Sequence, residues 1–222
     1  YYILILQSNK INIDLATISK FSSISLPKIN TLERNNWQIL WSNMIDYYET
    51  QIGENSKKYP LIRESFDYFI GLAENAISYL TYTKKETPKT IYDNKVLSHN
   101  NLYHSLEDPL NIIIDHKSRD LAEYIKISFF NNNKNIFQEL DNYFYYQKYS
   151  DYGIRVLFSR ILYPSFYFKI YNDIIQGIIK EKELNSIINT IDKYEIYIYK
   201  IYIYLKKYSN LPPVEWLKKT KN

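Results

Sequence analysis

The chain has 222 residues, a length that suits one domain, or one lobe with a remnant of another. Apolar residues make up 45% of it and charged residues 23%, which is typical of a folded globular protein and excludes overall disorder. The net charge of +4, with lysine pairs scattered along the chain, is too mild to predict a nucleic-acid partner.

Cysteine and histidine content limits the chemistry further. The chain has no Cys, which excludes disulfides, thiolate catalysis and cysteine-ligated zinc. Its 3 His residues are too few for a His-rich metal cage. Neither a disulfide scaffold nor a zinc enzyme is therefore predicted.

The first residues, Tyr1–Gln7, form an apolar run rich in β-branched and aromatic side chains, which predicts a buried strand. No basic segment precedes this run, and it is too short to span a bilayer. We therefore predict neither a signal peptide nor a transmembrane segment, and no membrane partner. Because the sequence lacks an initiator Met, we interpret it as a fragment of a longer protein.

Helical patterns follow in the first half of the chain. Ile13–Phe21 predicts a short helix, and residues 22–30 predict a connector. Thr31 is predicted to cap a strong helix that ends at Gly53, and a second helix is predicted over Pro60–Tyr82. The apolar positions that share one face are Trp37, Leu40, Trp41, Met44, Ile45 and Tyr48 in the first helix, and Phe66, Phe69, Ile70, Ala73, Ala76, Ile77 and Leu80 in the second.

Two short apolar runs lie in the middle of the chain. Val96–His99 ends in a polar stretch, and Ile112–Asp115 follows a turn-like segment that closes with Asp108-Pro109. Their length and β-branched content favour two strands that pair as a small β-hairpin.

Helices are predicted over most of the remainder: residues 120–130, 135–147, 152–163, 166–180 and 183–207. The predicted fold class is α+β and mainly helical, with a helical body around the hairpin. The residues predicted to be buried in separate helices are Trp37, Trp41, Phe66, Phe69, Ile77, Leu121, Ile125, Leu157 and Leu162. The tyrosines of the last helix, Tyr194, Tyr197, Tyr199, Tyr202 and Tyr204, predict packing, although Tyr is also favoured at protein interfaces.

The order of motifs around the hairpin indicates a type of chemistry. One apolar strand ends in His99, the next ends in Asp115, and Arg119-Asp120 opens a helix. Kinase-like phosphotransferases are laid out in this order. Phosphoryl transfer needs a carboxylate that orients the acceptor hydroxyl, and an Asp with an Asn that hold magnesium on the phosphates.

A family resemblance is carried by residues 114–125, Ile-Asp-His-Lys-Ser-Arg-Asp-Leu-Ala-Glu-Tyr-Ile. This segment resembles the YutH-type spore coat proteins, which are related to the CotS family and to aminoglycoside and choline kinases. Residues 65–77, 160–164 and 212–217 agree with it, in an ordered match from about Trp37 to Leu217.

The resemblance implies the C-terminal lobe of a protein-kinase-like fold over residues 31–222, with residues 1–30 as a remnant of the N-terminal lobe and hinge. It also implies synthesis in the cytoplasm, a place in the spore coat, and other spore coat proteins as partners. The oligomeric state is not specified by any of these residues.

The departures from the kinase pattern affect the activity that is expected. Active members carry His-x-Asp, with Asn five residues after the Asp, whereas this chain has His99-Asn100-Asn101 and then Leu106. Asn cannot accept a proton as a carboxylate does, and loss of general-base help costs roughly 10²–10⁴-fold in rate. We therefore predict no catalytic residue at His99, Asn101 or Leu106, and a protein that leans away from being an enzyme.

The remaining site residues allow two interpretations. Asp115 is either a vestigial metal ligand or a structural ion-pair partner, and Arg119 and Asp120 are predicted to support the structure, Asp120 as a carboxylate at a helix start. The leading hypothesis is a catalytically degenerate, protein-binding coat component without a cofactor. The alternative is a small-molecule phosphotransferase or nucleotide sensor of the aminoglycoside or choline kinase type, and only this alternative requires ATP and magnesium.

Overall fold

A computed structural model describes residues 13–26, 30–102 and 108–217. The strand predicted over Tyr1–Gln7 lies outside these residues, and so does Leu106. The helices are α1 (Leu15–Ser22), α2 (Trp37–Lys58), α3 (Pro60–Glu86), α4 (Ser118–Phe130), α5 (Ile136–Tyr146), α6 (Asp151–Leu162), α7 (Ser165–Ile175), α8 (Asn185–Ile188) and α9 (Ile191–Leu205). The strands are β1 (Lys95–His99) and β2 (Ile112–His116), and 3₁₀ turns cover Asn30–Leu32, Pro109–Asn111 and Glu181–Leu184.

The predicted hairpin is confirmed. Strands β1 and β2 pair antiparallel, with Lys95 opposite His116 and His99 opposite Ile112. The segment before α2 runs along the other edge of β2, where the Arg34 amide donates to the Ile114 carbonyl at 2.9 Å. The mainly helical α+β class is confirmed as well.

The predicted bounds of α2 were wrong at both ends. Thr31 lies in a 3₁₀ turn and does not cap the helix, because the next residues extend along β2 before the helix begins at Trp37. Gly53 lies inside the helix, which continues to Lys58. Tyr59 then adopts an extended conformation, as the residue before a proline prefers, and Pro60 opens α3 with its fixed φ.

The two last predicted helices are shorter than the apolar pattern indicated. Helix α7 ends at Ile175 because Gly177 adopts a φ of 72°, which a residue without Cβ tolerates at no steric cost. The amides of Gly177 and Ile178 then donate to the carbonyls of Ile174 and Asp173 at 2.9 and 2.8 Å, a Schellman motif. The predicted 183–207 helix is divided, and its long part starts only at Ile191.

The core lies where α2, α3, α4, α6 and α7 meet. Of the residues predicted to be buried, Trp41, Phe66, Phe69, Leu121, Ile125, Leu157 and Leu162 are buried, whereas Trp37 and Ile77 are partly buried against the same core. Among the tyrosines of α9, Tyr194, Tyr202 and Tyr204 are buried and Tyr197 and Tyr199 partly so. Within the described residues, no helix is long and apolar enough to cross a membrane.

Trp41 provides a direct test of this core. It is 4% exposed and stacks on Tyr163, with ring centroids 4.4 Å apart. We expect Trp41→Ala to lower the free energy of unfolding by roughly 3–5 kcal/mol in urea titrations, since the truncation leaves a cavity.

The neighbouring Leu40 is the matched control. Because it is 37% exposed, Leu40→Ala should cost less than about 1 kcal/mol. Equal losses for the two variants would show that the buried face of α2 is misassigned.

Candidate functional site

The end of the hairpin places Asp115 in the interior. Its side chain is 1% exposed, so its charge must be balanced locally. The Nε1–H of Trp37 donates to Oδ1 at 2.8 Å, and the backbone amide of His116 donates to the same oxygen at 2.6 Å. The Asp115 carboxylate therefore ties the start of α2 to the end of β2.

Two guanidinium groups complete the shell of Asp115. One nitrogen of Arg160, on α6, lies 2.8 Å from Oδ1 and 2.9 Å from Oδ2, and Arg119 approaches Oδ2 at 3.4 Å. Both guanidinium groups lie over the Trp37 ring, 4.5 Å from its centroid for Arg119 and 4.7 Å for Arg160. Since each carboxylate oxygen accepts at least two donors, Asp115 is the centre of a buried cation–carboxylate–indole cluster.

Asp120 holds the residue at the end of β1. Its two oxygens accept the backbone amide of His99 at 3.0 Å and the imidazole Nδ1 at 2.7 Å. Because a carboxylate can only accept when ionised, Nδ1 carries the proton of the His99 ring. The other ring nitrogen is buried and has no hydrogen-bond partner among the described residues, and the ring stacks on Phe21 at 4.2 Å.

Backbone contacts fix the loop that follows β1. Arg119 donates from Nε to the His99 carbonyl and from a terminal nitrogen to the Asn100 carbonyl, each at 2.8 Å. The Asn111 side chain accepts the Asn101 amide at 2.8 Å and donates to the Asn101 carbonyl at 2.9 Å. The backbone of Asn101 is thus held in place by the Asn111 side chain.

A second polar group lies beside the hairpin, around His116 and Asp93. The Ser118 amide donates to His116 Nδ1 at 3.2 Å, so the neutral ring carries its proton on Nε2, 3.6 Å from Asp93 Oδ1. Burial lowers the pKa of His116, and Asp93 offsets only part of that effect. Burial alone would raise the pKa of Asp93, but the nearby imidazole of His116 and the hydrogen bonds from Ser150 and Thr90 lower it to about 2.

Gly153 explains why the Asp93 carboxylate fits against the first turn of α6. A Cβ atom at this position would lie 2.9 Å from Asp93 Oδ1. The same turn is capped by Ser150, whose hydroxyl accepts the Gly153 amide at 2.9 Å and donates to Asp93.

A cleft of about 320 Å³ adjoins the loop after β1. Asn100 and Asn101 form one edge of it, and side chains of α2, α4 and α7 form the walls. Glu123 lies on the α4 wall, where it accepts from the buried Lys126 ammonium at 2.7 Å and from Ser165 at 2.9 Å. Burial alone would raise the pKa of Glu123, but the charge of Lys126 and the hydrogen bonds from Lys126 and Ser165 lower it.

The residues predicted from the sequence are thus brought together at one place. His99, Asp115, Arg119 and Asp120 contact one another in the interior, and Asn101 lies beside them at the cleft. Sequence reasoning missed the partners on other helices, above all Arg160. A signal for it existed, since a single charge within the apolar run Val156–Leu162 requires a buried partner.

The group does not resemble a metal centre. In the part of the chain that the structure describes, no three His, Asp or Glu side chains are grouped so that they could hold a metal ion. A divalent cation at Asp115 would meet two guanidinium groups and oxygens that already accept several donors each. The arrangement is that of a helical α+β protein with a buried, charge-balanced cluster at the end of a hairpin.

Comparison with known proteins assigns the family. The model of the family described as "Spore coat putative kinase YutH" matches residues 6–201, and the chain belongs to this family. The "Endospore coat-associated protein YutH" of Bacillus subtilis (strain 168) is 28% identical over 210 residues. That alignment covers 82% of this chain and 61% of the relative, so the chain spans less than two thirds of the relative's length. No solved structure matches the chain.

The Asp115–Arg160 pair can be tested by a double-mutant cycle. Asp115→Asn leaves the Arg160 guanidinium buried without its counter-charge, so we expect a loss of roughly 3–5 kcal/mol in the free energy of unfolding. Arg160→Met should cost a comparable amount. The double variant should cost less than the sum of the two by more than about 1 kcal/mol, because neither charge is then left alone.

The exposed Asp46 of α2 provides the charge-matched control. Asp46→Asn should change stability by less than about 0.5 kcal/mol. Additive losses in the cycle would contradict a direct interaction between Asp115 and Arg160.

Proposed function

We propose that this chain is a spore coat component with a kinase-like helical lobe, and that it acts by binding other coat proteins without transferring phosphate. The observation that carries the proposal is the shell of Asp115. The carboxylate that would hold magnesium in an active relative is 1% exposed, and its oxygens accept from Trp37, Arg160, Arg119 and the His116 amide.

The coordination chemistry of Mg²⁺ also argues against a metal ion at Asp115. Mg²⁺ demands octahedral oxygen ligands at about 2.1 Å and keeps several of its waters. The guanidinium groups of Arg119 and Arg160 occupy the space next to the carboxylate and carry the same sign of charge as the metal. The residues do not fit a magnesium site.

The loop after β1 supports the proposal independently. Asn101 stands where phosphotransferases carry their catalytic carboxylate, and an amide cannot act as the base. Glu123, a carboxylate that does line the cleft, is neutralised by Lys126 and hydrogen bonded by Ser165. Among the described lining residues, none therefore supplies an unengaged carboxylate to an acceptor hydroxyl.

The place in the spore coat rests on the family. The name of the Bacillus subtilis relative describes a protein associated with the endospore coat. The kinase-like character rests on the order of elements, in which β1 ends in His99, β2 carries Asp115 one residue before its end, and Arg119 and Asp120 lie in the first turn of α4. If a protein of this fold does not transfer phosphate, binding to other coat proteins is the role that we propose for it.

A nucleotide assay tests the catalytic part of the proposal. We expect no magnesium-dependent ATP consumption by the purified chain above a buffer control. Asn101→Asp should remain inactive, because the restored carboxylate leaves Asp115 held by its guanidinium groups. Circular dichroism should show that the variant is folded.

Robust ATP consumption by the unmodified chain would contradict the proposal and favour a small-molecule phosphotransferase. Asp115→Ala is unsuitable as the control in this assay, because it disrupts the buried cluster and lost activity would report unfolding. Arg34→Gln is a better control, since the Arg34 side chain is not part of the cluster.

Imaging of sporulating cells tests the location. A fluorescent fusion of the chain produced in sporulating Bacillus subtilis should form a ring around the developing spore, whereas the fluorescent protein alone should stay diffuse. A diffuse signal from a full-length, soluble fusion would argue against a coat component.

A further inference from the structure

The cleft beside the loop after β1 is rich in hydrogen-bond donors. Tyr48 on α2 is only 2% exposed, and its hydroxyl accepts from the Asn172 side-chain amide at 2.8 Å. Because that amide nitrogen can only donate, the hydroxyl proton of Tyr48 has no acceptor among the described residues. A buried donor without an acceptor costs free energy, so a ligand that accepts from it gains affinity.

Tyr163 supplies a second donor of the same kind. It is 4% exposed, and its hydroxyl lies 3.9 Å from the sulfur of Met44, which is a weak acceptor. Both phenols belong to residues that line the cleft. Two phenol donors from different elements thus border one space without strong acceptors.

The start of α7 adds a third donor to the same space. This helix has 11 residues, and Pro164 gives it no side-chain cap. The Ser165 hydroxyl at its first position donates to Glu123 at 2.9 Å, but the Phe166 amide has no acceptor among the described residues and is free to bind a ligand.

The charged side chains on the walls of the cleft, and the partners that they already have, limit the charge that a ligand can carry. Arg119 already uses three of its five N–H groups on Asp115 and on two backbone carbonyls, and Glu123 is paired with Lys126. Of the ion-paired side chains on the described walls, Lys169 is the most exposed: its ammonium makes one ion pair, with Asp173 at 2.7 Å, and its side chain is 41% exposed. Because a half-exposed ion pair is weak, the Lys169 ammonium can exchange Asp173 for a ligand anion, whereas the Glu123 carboxylate on the wall disfavours a dianion.

We propose that this cleft binds a small monocarboxylate with a short apolar body. The carboxylate lies at the start of α7, within reach of the Tyr48 hydroxyl and Lys169, and the apolar body packs against Met44, Phe166 and Phe168. A volume of about 320 Å³ is at the small end of ligand pockets and suits a molecule of this size. This site is independent of the proposed coat function, so either can fail without the other.

Four probes of similar shape test the charge preference. Phenylacetate, phenylacetamide, 2-phenylethylamine and phenyl phosphate are titrated onto the full chain and followed by saturation-transfer NMR up to about 20 mM. We expect phenylacetate to bind, and the amide and the amine to bind at least about tenfold more weakly. Phenyl phosphate should also bind more weakly than phenylacetate.

Two variants test the position of the carboxylate. Tyr48→Phe keeps the ring that stacks on Phe168, and Lys169→Gln changes a half-exposed side chain, so both should fold. Each should weaken phenylacetate binding by roughly three- to tenfold, whereas Lys200→Gln on the exposed side of α9 should leave it unchanged.

Three outcomes would overturn the proposal. Tighter binding of the amine would assign the cleft to cations, and tighter binding of phenyl phosphate would assign it to phosphate esters. Absence of phenylacetate binding, or binding that neither Tyr48→Phe nor Lys169→Gln affects, would show that the cleft takes no carboxylate.

Discussion

The carboxylate of Asp115 is the interaction on which the arrangement of this protein depends. A single charge at the end of a strand, buried among apolar side chains, is tolerated only if donors surround it. Here the donors come from three separate elements, Trp37 on α2, Arg119 on α4 and Arg160 on α6. The cluster therefore fixes the position of the hairpin relative to the helices, and with it the loop after β1 and the cleft beside that loop.

The cluster also changes how a kinase-like motif order should be interpreted. Asp115 near the end of β2 and Arg119 in the first turn of α4 direct their charges at one another. Asp120 binds the backbone and ring of His99, and Arg119 binds the carbonyls of the next loop. These charged side chains therefore brace the hairpin, the loop and α4 against one another.

The fold class, the hairpin and most of the core could be predicted from the sequence. The spacing of apolar residues, which indicates helices and strands, depends only on neighbouring positions in one chain. The predicted start of α3 at Pro60 was confirmed, but the bounds failed at two glycines: Gly177 ends α7 early, and Gly53, predicted to end α2, lies inside that helix. The members of the site were found on the hairpin and α4, where they are neighbours in sequence. Arg160 was missed, since its partner lies 45 residues away and no local pattern reports such a distance.

The sequence separation of these contacts has a consequence for synthesis of the chain. Trp37 binds Asp115, which lies 78 residues further along the chain, and Asp115 binds Arg160, which lies another 45 residues further along. Each contact can form only after its second residue has been synthesised. Contacts between distant positions form slowly, because the loop between them has to be ordered first. A nascent chain that ends before α6 therefore carries a hairpin whose acid lacks Arg160 and an unfinished interior, which makes arrest before Arg160 a vulnerable stage for aggregation and for recognition by chaperones.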